Sequence, residues 1–131
     1  MKILPYTCAL LIPAAAYHAA AEQTDTHHIL AKEIIHLLSE TELVLSSCTD
    51  KMSTEAALPR LRELAQQAQS IHDRQLKLPN STLQEDISIA TLVQEFQLIW
   101  GAICAHIERL DKAGLLTPEL REVLRIAPTT N

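Results

Sequence analysis

From Thr26 to Cys48 the apolar residues Leu30, Ile34, Leu37, Val44 and Cys48 recur at alternating steps of three and four, with Thr41 filling one slot. Lys32, Glu33, Glu40 and Glu42 fall off that stripe. The spacing predicts a helix over 26–48 with one buried face. A second stripe, Ala57, Leu61, Leu64, Ala68 and Ile71, with Leu58, Ala65 and Leu76 beside it, predicts a helix over 54–77. Pro59 lies beyond its first turn, where a missing N–H and a crowded carbonyl four residues earlier predict a bend.

Leu78-Pro79-Asn80 stops the second helix, and Ser81-Thr82-Leu83-Gln84 has the form of a capping box. A third helix is therefore expected over 82–113, with Ile89, Val93, Phe96, Trp100, Ile103, Ile107 and Leu110 as its inner face. Gly114 is placed to close it in the left-handed conformation. Thr117-Pro118-Glu119 then supplies an N-cap, a first-turn proline and an acid, which predicts a short helix over 118–126. Short connections make successive helices antiparallel neighbours, so the expected fold is all-α: an up-down-up three-helix bundle with a short fourth C-terminal helix. At 1.5 Å per residue the third helix overhangs the first by about 14 Å, and the fourth is expected to fold back over that end.

The stretch before the first helix changes the address of the protein rather than its fold. Met1-Lys2, an apolar run from Ile3 to Ile12, Pro13 and an alanine-rich segment ending at Ala19-Ala20-Ala21 follow the basic, apolar, small-residue order of a secretory signal. Residues 1–21 are therefore expected to be a cleaved signal peptide and residues 22–131 a single helical domain, exported to the periplasm or secreted. Ala14-Ala15-Ala16 offers a second site, with Ala16 rather than Ala21 before the cut. The apolar run is about half the roughly twenty residues of a membrane span, and no later run is longer, so no integral membrane segment is expected after cleavage.

Composition narrows the partners. The formal charge of −5 becomes one unit more negative once Lys2 leaves with the leader. The remaining basic residues are interleaved with acids, so no cationic stripe for a phosphate backbone is present and no nucleic-acid partner is expected. A domain of this size holds one core. Two glycines and few aromatics argue against an all-β chain.

Two cysteines follow the leader. Counted from the expected starts of parallel first and third helices, Cys48 and Cys104 lie at the same height, so a Cys48–Cys104 disulfide is predicted for an oxidising compartment. His27, His28, His36, His72 and His106 show no helical spacing that would converge on a metal, so no metal site, cofactor or catalytic residue is assigned. Met52 with His106 is the weak alternative for a haem. Phe96 and Trp100, four apart, are expected to pack in the core. Asn80-Ser81-Thr82 is a glycosylation sequon. The acids read as solvated faces with no opposed pair in a cleft. The chain is thus expected to be a non-enzymatic binding or structural protein of the cell envelope, acting through a helix face on a protein partner or on itself. Ile35, Leu38, Leu43, Ile89, Leu92 and Leu98 widen the apolar surface to that end. A small-ligand, haem or metal binder of the bundle interior is the alternative.

Overall fold

Four of the five described helices begin at a side chain that accepts a free backbone N–H, and the helix that follows the turn at Leu92 does not. The computed structural model describes residues 24–125, and all regular structure among them is helical: α1 (His27–Ser46), α2 (Lys51–Leu76), α3 (Leu83–Ala90), α4 (Val93–Lys112) and α5 (Pro118–Leu124). The expected leader and the residues past Arg125 lie outside the described residues. Thr26 accepts from Ile29 N at the start of α1, and Thr117 accepts from Leu120 N, with Pro118 at the first position of α5.

Two starts differ from the sequence reading. α2 opens at Lys51 rather than at 54, because Asp50 and Ser53 form a reciprocal capping box. The box before α3 is Thr82 with Glu85, one residue later than the expected Ser81 and Gln84. Ser81 instead donates to Asp86 Oδ1 at 2.7 Å. Pro59 lies within α2, where Glu55 O loses its usual helical donor.

The larger departure is an elbow at Thr91-Leu92, where the expected third helix divides into α3 and α4 with a bend of 51°. Neither glycine nor proline is present there. Thr91 Oγ1 donates to Ser88 O at 2.6 Å, and the amides of Thr91 and Leu92 reach back three residues, to Ser88 O and Ile89 O. The side chain competes for the helix carbonyl and tightens the turn, which redirects the chain. At the far end of α4, Gly114 has φ +73°. Leu115 N bonds to Leu110 O and Gly114 N to Asp111 O, the paired bonds of a Schellman closure.

α1 is the shared wall: it packs against α2, α3 and α4, while α5 packs on α2. α1 and α2 run in opposite directions, tied by Arg60 to Glu40 near one end and by Arg74 to Asp25 and Glu33 at the other. α1 and α4 run in the same direction, with Glu42 beside His106 and Leu45 beside Arg109. The core joins Leu30, Leu37, Leu45 and Cys48 of α1 and its loop to Leu61, Leu64 and Ile71 of α2, with Ile103, Leu110 and Leu120. Full burial of each leucine contributes about 1.5–3 kcal/mol. Along α1 the inward stripe steps from Thr41 to Leu45 rather than to Val44, since a straight helix of 3.6 residues per turn drifts off a strict seven-residue pattern.

The expected Cys48–Cys104 disulfide is not formed; both thiols are free, Cys48 buried and Cys104 exposed. Equal heights for the two cysteines require one straight helix from residue 82. With the elbow in place, hydrogen bonds between α4 and α1 or its loop join residues 61 to 64 apart in sequence. Bridging the cysteines would need a slide of about five to eight residues, about 8–12 Å at 1.5 Å per residue. Cys104 also follows the inward-facing Ile103 by one position and so lies off the buried face.

Candidate functional site

Two regions combine apolar character with exposure, and both involve α4. The first begins in composition: from Ile87 to Ala105 Glu95 is the one charged residue. In a soluble bundle such a run is ordinarily the buried side of a helix. Here α3 has no buried residue and α4 buries only Ile103 and Leu110. Leu98 is 70% exposed, Trp100 48% and Phe96 38%, while Ile87 and Val93 are also exposed. Phe96 and Trp100 stack with ring centroids 6.3 Å apart and planes 6° from parallel, a partly exposed aromatic pair. The sequence reading placed both rings in the core. The elbow is the physical reason they are not: it swings the first half of α4 away from the line that a straight helix would follow along α1.

Of the residues expected to widen the apolar surface, Leu98 and Leu43 are exposed, Leu38, Ile89 and Leu92 are half-buried, and Ile35 is buried. Ile35 lies under the elbow, where it lines a small apolar cleft of about 190 Å³ with Ala31, Ile34, Ile89, Leu92 and Phe96.

The second region is a groove of about 280 Å³ with Leu38 and Thr41 of α1 on its floor, Leu64 and Ala68 of α2 on one wall, Trp100 and Ile107 of α4 on the other, and Leu124 at the end of α5. Ala68 belongs to the apolar stripe of α2 and was expected in the core, yet it is exposed. No described helix covers it, because α5 ends at Leu124 after seven residues. Thr41 Oγ1 donates to Leu37 O at 2.9 Å and is thereby satisfied within its own helix.

The titratable groups are arranged as ties. Arg74 is gripped in bidentate fashion by Asp25 at 2.7 and 3.0 Å and by Glu33 at 2.9 Å to each oxygen. Those two carboxylates, Asp25 first, raise the guanidinium further above its ordinary value. The reciprocal hydrogen bond from Arg74 lowers Asp25. Arg109 donates to Cys48 O at 2.8 Å and to Leu45 O at 3.0 Å, and its Nη2 also donates to His106 Nδ1 at 3.3 Å. A guanidinium can only donate, so Nδ1 accepts, and Nε2–H donates to Glu42 Oε2 at 2.9 Å. Both ring nitrogens of His106 are therefore engaged, and Met52 is 80% exposed. The Met52 and His106 pair that the sequence offered to a haem is not disposed to hold one.

His36 pairs with Glu40 on α1, His27 meets Pro79 O, and His72 lines the groove. Among the described residues no group of three His, Cys, Asp or Glu side chains is close enough to hold a metal ion. Burial pushes the Cys48 thiol above its ordinary value, against a smaller lowering by a hydrogen bond with Thr54, which makes it a poor nucleophile. Arg109 was missed by sequence reasoning, although a signal existed: α1 ends in Ser46-Ser47-Cys48 with no basic residue in its last turn and no glycine to close it. No protein-family model, curated protein or solved structure matches the chain.

Proposed function

We propose that this chain is an exported, non-enzymatic binding or structural protein of the cell envelope, a helical bundle released from its leader at Ala21, which engages a protein partner through the outer face of α3 and α4. One observation carries the reading: a nineteen-residue stretch with a single charge stands largely exposed and holds the stacked Phe96 and Trp100. Depletion of charge together with enrichment in aromatics is the compositional mark of an interface core. An exposed apolar patch of this kind is unfavourable in water unless it serves contact.

The reading assigns no nucleic acid as partner, since Lys and Arg remain interleaved with acids. No single helix among the described residues is long and apolar enough to cross a membrane. The test is capture from the envelope fraction of the source organism by the full chain and by Leu98→Asp, a change at a residue with little packing to lose. A partner held by the first and lost by the second supports the reading; equal capture by both, or none by either, refutes it. Amino-terminal sequencing of the exported product tests the leader, with Glu22 expected as its first residue.

A second reading, a small-ligand binder of the bundle interior, is favoured by the groove between α2 and α4.

A further inference from the structure

The lining of that groove is unusual for this protein in its charge. The chain carries sixteen acids, yet none of the groove's fifteen lining residues is Asp or Glu. Its polar positions are Thr41, already satisfied, and Gln69, His72 and Arg125. Gln69 spends its amide on Asp73 Oδ1 at 3.0 Å, which leaves its carbonyl oxygen as an acceptor. The guanidinium of Arg125 has no ion pair and no hydrogen bond among the described residues. An apolar trough whose rim carries a cation that no described acid pairs is complementary to a molecule that is apolar along its length and anionic at one end.

We propose that the groove binds a single-chain anionic amphiphile of fatty-acid type, its alkyl chain lying along Ala68, Leu64, Trp100 and Ile107 and its carboxylate meeting Arg125. This rests on the second reading above; the groove shares Trp100 with the α3–α4 face, but Leu98 of that face lies outside it. At about 280 Å³ the volume is at the lower limit for small-molecule sites, which suits one alkyl chain and excludes a fused macrocycle. Each methylene buried in the trough tightens binding about fourfold, so affinity rises with chain length until the groove is full.

Trp100 is the single tryptophan and lines the groove, so its emission reports occupancy directly. The experiment titrates the full chain with decanoate below micelle formation, followed by Trp100 fluorescence and by calorimetry, with decyltrimethylammonium as the matched cation. The expected result is saturable binding of one decanoate per chain with a blue shift. Arg125→Gln should weaken it about tenfold and Ala68→Phe, which fills the trough at an exposed position, should abolish it. Equal binding of the cationic amphiphile, or decanoate binding that survives Ala68→Phe, overturns the proposal. Absence of saturable binding, as when residues 126–131 of the chain itself fill the groove, also overturns it. Leu98→Asp should leave decanoate binding unchanged while removing partner capture, so the groove and the face stand or fall separately.

Discussion

Arg109 of α4 donates to the carbonyl of Cys48 at 2.8 Å, so the loop that ends α1 is closed by a guanidinium from sixty-one residues further along the chain. The same group reaches Leu45 O and His106. It does for α1 what glycine or a local lysine does elsewhere: it satisfies carbonyls at the negative end of the helix dipole.

Replacing Arg109 by Ala should therefore cost about 2 kcal/mol, the range of hydrogen bonds to a charged group. The urea midpoint measures it. Arg109→Met, which keeps the stem, should lose nearly as much; full stability in either variant would show that water can replace the guanidinium.

Exposed and buried leucines of α4 should differ sharply. Leu110 is completely buried, and Leu110→Ala should cost about 2–5 kcal/mol through lost transfer energy and the cavity left behind. Leu98→Asp, at an exposed position, should stay within about 0.5 kcal/mol. Thermal unfolding of the two variants side by side tests whether the first half of α4 truly stands clear.

Acid should loosen the chain at two named points. Arg74 holds Asp25 below its ordinary 3.8, and the capping bonds from Ser53 do the same for Asp50. A carboxyl depressed in the folded state contributes stability that is fully present above its unfolded pKa and is lost as pH falls through the folded one. The denaturation midpoint should therefore decline as pH drops below about 4. Asp25→Asn and Asp50→Asn should each flatten that decline. Because both carboxyls are solvent-accessible the effect is small, and salt should weaken it for Asp25, whose stabilisation is an ion pair.

The thiols give the most direct check on the register of α1 and α4. In the chain that begins at Glu22, and so lacks Cys8, Cys104 should react with a water-soluble thiol reagent in the native state and Cys48 only on unfolding. Native chain with no reactive thiol, and a melting temperature that falls with reductant, would restore the bridge between them and require α4 to slide along α1.

Much of the helical architecture is legible from periodicity and caps. Thr117-Pro118 starts a helix and Gly114 ends one because those residues act on their own backbone within a turn or two. The elbow is not legible in that way. Ser88 and Thr91 are ordinary helix residues by propensity, and the bond from Thr91 Oγ1 to Ser88 O, together with the amides that reach back three residues, marks the turn only in the folded chain. From that one local event follow the exposure of Phe96 and Trp100 and the separation of the cysteines. Arg109 illustrates a second limit: the deficiency at the end of α1 can be read from Ser46-Ser47-Cys48, but its remedy lies on another helix, and no local pattern names it. Ala68 illustrates a third, because a stripe says which side of a helix is apolar and not whether anything covers it.

That α1 alone packs against α2, α3 and α4 sets a gradient of protection against deuterium. Opening α1 disrupts the shared wall of the molecule, so its mid-helix amides around Leu37 and Thr41 should be among the last to exchange, at rates approaching those of global unfolding. α3, eight residues with none buried, has the least packing to lose when it unravels. Its amides should be labelled first, well before those of α4 beyond the elbow.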